Sequence, residues 1–314
     1  MADALVLTGV TKRYGRFTAV DDFSLRLPTG EVLGFLGPNG AGKTTTLRMV
    51  MSIIYPDSGQ IEVLGHSRAS EVKDRIGYLP EERGLYRKMT VEETLNYFGR
   101  LKGLRGHTLH ERINESLERI GLQDWRRKRV EALSKGMSQK LQFTSAILHR
   151  PELVILDEPF SGLDPLNVDL LERMLAELRR AGATVVFSTH QMNQAERLCD
   201  RIVLINRGRK VVDGLLTEIR ERFATRVLEV DGRGALDDLA RCPGVAAAQI
   251  TAGHARLELA DDTDPNAVLA RAMQLARISR FEIQRPDLQE IFVKLVGSDG
   301  QMPVPAGRQE AVRG

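Results

Sequence analysis

A glycine-rich segment at residues 37–45 constrains the fold of this chain more than any other feature. It reads GPNGAGKTT and fits the pattern G-x-x-x-x-G-K-[ST]. The apolar run 31–36 before it predicts a buried strand, and the run 45–51 after it predicts a helix. A phosphate-binding loop needs this context, because the turn directs backbone N–H groups at the phosphates and the helix start adds its positive end.

The loop assigns chemical roles to two side chains. Lys43 would bridge the β- and γ-phosphates of a nucleoside triphosphate, and the hydroxyl of Thr44 would hold Mg²⁺. A glycine-rich turn with a chance lysine is the alternative interpretation. The loop residues predicted to contact the nucleotide are Gly37, Pro38, Asn39, Gly40, Ala41, Gly42, Lys43, Thr44 and Thr45.

A second apolar run, 153–156, ends in two carboxylates, Asp157 and Glu158. Such a strand end is ordinary when it stands alone, but after a phosphate-binding loop it is typical of ATP hydrolysis. We predict that Asp157 holds Mg²⁺ through water and that Glu158 polarises the water that attacks the γ-phosphate.

The composition limits the class of protein. With 314 residues, 42% of them hydrophobic, the chain can build one large α/β domain and a smaller one. Its net charge of +3 is too small to indicate nucleic-acid binding by itself. The longest apolar runs have the length of strands, so no membrane-spanning helix is predicted. Cys199 and Cys242 lie far apart in the sequence, and we expect two cytosolic thiols.

The pattern of predicted strands and helices divides the chain into three parts. Residues 1–222 combine an antiparallel hairpin with alternating strands and helices, which predicts a mostly parallel sheet covered on both faces. Within them we expect one helical stretch from Val91 to Ile120. Residues 223–297 predict a small α+β unit, and residues 298–314, which lack periodicity, are expected to be disordered. The strands and then the helices of the α+β unit are expected at 226–230, 245–251, 255–259 and 281–284, and at 267–277 and 288–296.

Four further motifs occur in the order found in one protein family. They are LSKGMSQ at 133–139, SGLD at 161–164, STH at 188–190 and an aromatic residue, Tyr14, in the first hairpin. Together with the phosphate-binding loop, they make residues 5 to about 222 resemble the nucleotide-binding subunit of an ATP-binding cassette (ABC) transporter.

The resemblance implies a fold and a set of ligands. The fold would be a P-loop NTPase of ABC type, with a mixed sheet core, an antiparallel subdomain and a helical subdomain, followed by the small C-terminal α+β domain. The cofactors would be ATP and Mg²⁺. Tyr14 would stack on adenine, and His190 would contact the γ-phosphate and the attacking water. Ser134 and Gly136 would donate to the γ-phosphate of the opposite subunit's ATP. Asp164 belongs to the SGLD motif, which resembles the family's D-loop, and would also contribute to nucleotide binding. The catalytic residues would be Lys43, Glu158 and His190.

Partners and a location are implied as well. Two ATP-binding subunits, either two copies or one copy and a paralogue, would close head to tail on ATP and drive a separate integral-membrane permease. The protein would be cytoplasmic and peripheral on the inner face of the cell membrane. Nucleic acid is not an expected partner.

Several positions depart from the family pattern, among them Met137 and Ser138, which replace a common Gln-Gln pair. Glu81 stands where the family usually has Gln, and its carboxylate can still reach Mg²⁺. Lys135 replaces the usual Gly of the signature and adds positive charge near the partner's phosphates. The PEERG loop at 80–84, the SKGMS signature and the appended C-terminal unit are similar to the sodium-efflux (NatA-like) subgroup of type 2 ABC exporters. This similarity predicts export through a membrane subunit on a separate chain.

Two other functions stay open at this point. A soluble ABC ATPase could act on DNA or on ribosomes. DNA-repair types insert long coiled coils and ribosome-acting types carry two cassettes, whereas this chain has one cassette and no sustained heptads. A nucleotide-gated binding module without turnover is favoured by Glu81 and disfavoured by Glu158 and His190.

The basic run RRKR at 126–129 also has several interpretations. A solvated face of the helical subdomain is one, and contact with anionic headgroups or with an acidic partner loop is another. Nucleic-acid binding is disfavoured, because no aromatic residues are interleaved with the basic ones.

Overall fold

The computed structural model describes five stretches of the chain. They are residues 2–82, 84–223, 227–260, 263–284 and 287–297. The chain divides into two compact units, Met1–Leu216 and Thr217–Gly314. The tail predicted to be disordered, 298–314, lies outside the described residues, as does Arg226 at the start of a predicted strand.

The described residues of the first unit form nine strands. In chain order they are β1 (Asp3–Tyr14), β2 (Phe17–Pro28), β3 (Val32–Leu36), β4 (Ser58–Val63), β5 (Ile76–Leu79), β6 (Leu153–Asp157), β7 (Thr184–Thr189), β8 (Arg201–Asn206) and β9 (Arg209–Leu215). Its helices are α1 (Lys43–Val50), α2 (Val91–Leu101), α3 (Gly106–Ile120), α4 (Lys135–Ile147), α5 (Pro165–Arg180), α6 (Met192–Leu198) and α7 (Leu216–Arg222), the last of which continues into the second unit.

The central sheet has six strands in the order β5-β6-β7-β3-β8-β9. All neighbours are parallel except β9, which runs antiparallel to β8. Every residue of β3 and of β6 is buried, as expected for strands covered on both faces. Because the strands are parallel, the loops that follow β3, β6 and β7 leave the same edge of the sheet, and this edge carries the predicted motifs.

A smaller antiparallel sheet, in the order β2-β1-β4, stands beside the first. Its hairpin turns at Gly15 (φ 58°), between the paired residues Tyr14 and Phe17, so the predicted antiparallel hairpin is present. The rings of Phe23 on β2 and Phe35 on β3 lie 5.5 Å apart, so the two sheets share one apolar core.

The helical part is formed by α2, α3 and α4. Thr90 and Glu93 form a capping box that starts α2, with the Thr90 Oγ1 accepting from the Glu93 N–H and the Glu93 carboxylate accepting from the Thr90 N–H. The prediction of one continuous helix from Val91 to Ile120 was wrong in its middle. The chain takes a left-handed conformation at Gly103 (φ 85°), so α2 ends at Leu101 and α3 begins at Gly106.

In its described residues, the second unit contains a four-stranded antiparallel sheet and, after the end of α7, two further helices. The strands are β10 (Val227–Gly234), β11 (Val245–Thr251), β12 (His254–Leu259) and β13 (Ala276–Ile283), in the order β11-β12-β10-β13, and the helices are α8 (Pro265–Leu275) and α9 (Leu288–Gly297). The helix predicted at 267–277 stops two residues early, because Ala276 and Arg277 pair with Gly234 and Arg233 of β10. Within the described residues, no helix is both long and apolar enough to cross a bilayer.

A half-buried histidine, two residues after the end of α4, contacts the central sheet. The Nε2 of His149 lies 3.2 Å from the carbonyl oxygen of Ile76 on β5, and its Nδ1 is buried without a hydrogen-bond partner. Burial lowers the pKa of His149 from 6.5 to about 4, and the charge of Lys102 adds to this effect.

Replacing His149 is expected to make the fold less sensitive to acid. The unfolded chain protonates this imidazole near pH 6.5, whereas the folded chain does so only near pH 4. The stability linked to the neutral imidazole is therefore complete above pH 6.5 and is lost as the pH falls towards 4, by up to roughly 3 kcal/mol. We expect His149→Gln to reduce the difference in unfolding free energy between neutral pH and about pH 4.5, measured by denaturant titration.

His110→Gln, at an exposed position, is the matched control and should keep the wild-type difference. If His149→Gln kept it as well, the imidazole of His149 would not be the source of the acid sensitivity.

Candidate active site

The glycine-rich loop connects β3 to α1 and requires glycine at its last position. Gly42 is the N-cap of α1 and has φ 108°, a left-handed conformation that residues other than glycine rarely adopt. A Cβ placed there would lie 2.4 Å from the carbonyl oxygen of Ala19 on β2. The turn is closed by the Ala41 N–H, which donates to the Pro38 carbonyl oxygen at 3.2 Å. The loop therefore fits tightly between the two sheets, and α1 begins directly at Lys43.

A cavity of about 300 Å³ opens above this loop. Its lining includes the predicted loop residues from 39 to 45, together with Glu81 and Glu158. The structure thus brings Glu81 and Glu158, which are distant in sequence, to the phosphate-binding loop. Phe17 and Ala19, which the sequence did not single out, also line the cavity.

Lys43 is a buried cation in this cavity. Its side chain is 6% exposed. Its Nζ donates to the carbonyl oxygens of Gly37 at 2.8 Å and Pro38 at 3.2 Å, and it lies 3.6 Å from Glu158 Oε1. Buried charges need such partners, and here two loop carbonyls and one carboxylate supply them.

Glu158 is held in an unusual backbone conformation. Its φ is 49°, in the left-handed region that costs a residue with a side chain about 1–3 kcal/mol. The Glu158 N–H donates to Ser188 Oγ at 2.9 Å, and both carboxylate oxygens lie 3.1 Å from His190 Nδ1. The carboxylate is therefore fixed between Lys43 and His190 and faces the cavity.

Asp157 presents one oxygen that has no partner. Its Oδ1 accepts a hydrogen bond from Ser188 Oγ, whereas its Oδ2 is buried and makes no hydrogen bond. Burial raises the pKa of the neighbouring Tyr78, and the charge of Asp157 adds to this shift.

These donors fit Mg²⁺. This ion prefers oxygen ligands and takes several of them from water and substrate phosphates. The free Asp157 oxygen and the cavity-lining Thr44 and Glu81 are donors of this kind. Among the described residues, no group of three His, Cys, Asp or Glu side chains could hold a metal ion. The protein donors therefore suit an ion shared with a phosphate ligand.

The predicted adenine-stacking residue lies outside the cavity lining. Tyr14 is 51% exposed, and the Lys12 Nζ lies 5.6 Å from its ring centroid. Phe17, paired with Tyr14 across the hairpin turn, lines the cavity and is 61% exposed. An aromatic residue on each side of one tight turn was the sequence signal that could have identified Phe17.

The remaining predicted residues form a second group. Ser134 is the N-cap of α4, and its Oγ accepts from the Met137 N–H at 3.2 Å. Asp164 is the N-cap of α5. A Cβ placed on Gly136 would lie 2.9 Å from Asn167 Nδ2 and 3.8 Å from Asp164 Oδ2, so the starts of α4 and α5 are in contact. None of Ser134, Gly136 and Asp164 lines the cavity at the glycine-rich loop.

Comparison with known proteins identifies the family. Residues 20–161 match the ABC transporter family, and residues 214–296 match the C-terminal domain of DrrA1-3-like ATP-binding proteins. YhaQ, an ABC transporter ATP-binding protein of Bacillus subtilis (strain 168), is 40% identical over 294 residues, which are 94% of this chain and 99% of YhaQ. The chain belongs to the ABC transporter ATP-binding family. Proteins of this family are ATPases that power transport, so the predicted activity and its nucleotide are confirmed at this level.

Two further relatives and one solved structure support this family assignment. The ABC transporter ATP-binding protein NatA of B. subtilis (strain 168) is 42% identical over 207 residues, 65% of this chain and 84% of NatA. Nod factor export ATP-binding protein I of Sinorhizobium fredii (strain NBRC 101917 / NGR234) is 37% identical over 301 residues, 94% of this chain and 87% of that protein. A solved ATP binding subunit of an ABC transporter superposes with a TM-score of 0.66 at 32% identity, covering 70% of this chain and 93% of that one. These matches confirm the predicted resemblance to the NatA-like subgroup and the predicted fold class.

Alanine substitutions at two glycines of the loop test how tightly the loop is packed. Gly42→Ala introduces both a strained φ and a contact of 2.4 Å with the Ala19 carbonyl oxygen, whereas Gly40→Ala introduces only the strain, because no atom lies within 4 Å of its Cβ position. Gly40→Ala should lower the unfolding free energy by about 1–3 kcal/mol, and Gly42→Ala should lower it clearly further. Denaturant titration without nucleotide measures both, and equal losses would contradict the described loop packing.

Proposed function

We propose that this chain binds MgATP in the cavity at the glycine-rich loop, hydrolyses it with Glu158, and drives a separate membrane permease. The observation that carries the proposal is the position of the Glu158 carboxylate. It lies in the phosphate-binding cavity, 3.6 Å from Lys43 Nζ and 3.1 Å from His190 Nδ1. A fixed carboxylate at this place can orient and polarise a water molecule beside the terminal phosphate.

Lys43 would exchange partners when nucleotide binds. In this structure its ammonium is held by the Gly37 and Pro38 carbonyl oxygens and by Glu158. Phosphate oxygens carry more charge than carbonyl oxygens, so they would replace the carbonyls as its ligands. The exchange would also release Glu158 from its ion pair and leave it free to act on water.

Asp157, Thr44 and Glu81 are the proposed holders of Mg²⁺. Asp157 has a free buried oxygen, and the other two line the cavity. Mg²⁺ would neutralise charge that builds up on the phosphates. The Ser188 hydroxyl donates a hydrogen bond to Asp157 and accepts one from the Glu158 N–H. One side chain therefore positions both carboxylates.

A second ATP-binding subunit would complete the site. Ser134, Gly136 and Asp164 are polar groups at helix starts that lie away from this chain's own cavity. Leu166, two residues after Asp164, is 84% exposed, as is typical of a surface that becomes covered in an assembly. We therefore propose a head-to-tail pair, with a second copy or a paralogue, in which these residues face the partner's nucleotide.

The proposed setting is the inner face of the cell membrane, with the protein cytoplasmic and bound to a permease on a separate chain. The relative named for Nod factor export supports export as the direction of transport. Residues 223–297 are proposed as an accessory domain outside the catalytic cavity. The residues that line this cavity all belong to the range 1–222.

Glu158→Gln should keep nucleotide binding while turnover falls by about 100-fold or more, because the amide cannot act as a base. Steady-state phosphate release and calorimetric binding of MgATP measure the two effects. Glu152→Gln is the matched control, because Glu152 flanks the other end of β6 and pairs with Arg75 at the surface. Wild-type turnover in Glu158→Gln would refute the assignment.

Lys43→Ala should weaken nucleotide binding itself, because it removes a direct charge on the phosphates. A loss of affinity of about tenfold or more is expected, since hydrogen bonds to charged groups contribute about 1.5–3 kcal/mol. Lys102→Ala serves as control, because Lys102 also donates to two carbonyl oxygens, those of Lys73 and Ile76, but outside the cavity. Unchanged MgATP affinity in Lys43→Ala, measured by calorimetry, would contradict the role of the loop.

A further inference from the structure

Two sequence-distant segments form a short ribbon rich in positive charge. Residues 87–92 run antiparallel to residues 126–131, with Thr90 opposite Arg129. The Val91 N–H donates to the Lys128 carbonyl oxygen at 3.0 Å, and the Val130 N–H donates to the Met89 carbonyl oxygen at 2.9 Å. We call this element the basic ribbon, and its cations are Arg87, Lys88, Arg126, Arg127, Lys128 and Arg129.

Two of the six cations are used within the protein. Arg126 pairs with Glu92 at 2.7 Å, and both side chains are about one-third exposed, which anchors the ribbon to the start of α2. Arg129 lies 3.6 Å from Glu131. The other four are exposed and have no ion pair within 4.0 Å among the described residues; they are Arg87, Lys88, Arg127 and Lys128.

Exposed tyrosines adjoin these cations. Tyr86, the residue before Arg87, is 50% exposed, and Tyr97 on α2 is 37% exposed. Their ring centroids lie 5.4 Å apart with the rings edge to face, and the ring of Phe98 packs 5.3 Å from that of Tyr97. Tyrosine beside lysine and arginine is typical of surfaces at a membrane–water boundary, because the ring is apolar and its hydroxyl stays in water.

We propose that the basic ribbon binds the anionic headgroups of a phospholipid bilayer. The proposal rests on the proposed function, which places the chain at the inner face of the cell membrane beside a permease, where exposed basic side chains such as those of Arg127 and Lys128 would have anionic headgroups within reach. The ribbon would therefore adjoin the membrane surface around the permease.

The chemistry of the ribbon favours lipid over other anionic partners. Long, exposed side chains without fixed partners suit mobile headgroups, which demand no defined geometry. Nucleic acid would need aromatic faces open for stacking, whereas Tyr86 and Tyr97 pack edge to face against each other. The ribbon thus supplies a non-specific electrostatic contact that would hold the ATPase against the bilayer.

Vesicle sedimentation with the purified full chain tests the proposal. One set of vesicles is phosphatidylcholine alone, and the other is equal parts of phosphatidylcholine and phosphatidylglycerol. The wild type should bind only the anionic set, and binding should weaken as salt is added. Arg127→Glu combined with Lys128→Glu should lower the vesicle partition coefficient by about 30-fold or more, from about 1 kcal/mol for each basic residue near an anionic surface.

The matched control reverses two exposed cations outside the ribbon, Lys73→Glu with Arg180→Glu, and gives the same change of net charge. It should bind anionic vesicles as the wild type does. The neutral pair Arg127→Gln and Lys128→Gln should show a smaller loss than the charge reversal. Circular dichroism and MgATP binding should be unchanged in all three variants, because none of these residues lines the cavity.

Two results would overturn the proposal. The wild type could fail to bind anionic vesicles, or the ribbon and control variants could lose the same amount of binding. If vesicle binding were absent and the ribbon variant lowered only permease-stimulated ATP hydrolysis, the ribbon would contact an acidic protein segment instead. If the wild type did not hydrolyse ATP, the proposed function would be wrong. The vesicle measurement would still show whether the basic ribbon binds lipid.

Discussion

The site depends on one buried positive charge. Lys43 is almost fully enclosed, and its ammonium is kept there by the carbonyl oxygens of Gly37 and Pro38 and by the carboxylate of Glu158. Leaving a buried charge without partners costs about 3–5 kcal/mol, so this ammonium needs oxygen ligands in every state of the protein. In the proposed function, nucleotide phosphates become those ligands, and the exchange couples binding to the release of the catalytic carboxylate.

The register of the parallel sheet supplies the partners of that charge. Strands β3, β6 and β7 are neighbours or next neighbours, and Asp157 lies opposite Ser188 in the register. This pairing lets the Ser188 hydroxyl serve Asp157 and the Glu158 backbone together, while β7 continues towards His190. The strained φ of Glu158 is stabilised by these contacts, which hold its carboxylate towards the cavity.

Local patterns predicted the parts of the site that lie within single segments. The glycine-rich loop, the strand before it and the strand ending in Asp157 each carry their information in a few adjacent residues. Ser188 as the link between two carboxylates and Phe17 as a cavity wall depend on strand pairing across long separations, which no local pattern contains. The break near Gly103 was missed because the amphipathic period continues on both sides of it, and the early end of α8 was missed because β10 recruits Ala276 and Arg277 as strand partners.

Ser134 and Gly136 lie outside the cavity lining of their own chain, so the proposed hydrolysis needs both an exchange of partners at Lys43 and a second subunit. The most direct measurement is a structure of the full chain with a non-hydrolysable ATP analogue and Mg²⁺. We expect Lys43 Nζ to leave the Pro38 carbonyl oxygen for a phosphate oxygen, and Ser134 and Gly136 of a second copy to reach the terminal phosphate. A nucleotide bound elsewhere, with Lys43 still on the Gly37 and Pro38 carbonyl oxygens, would contradict this expectation.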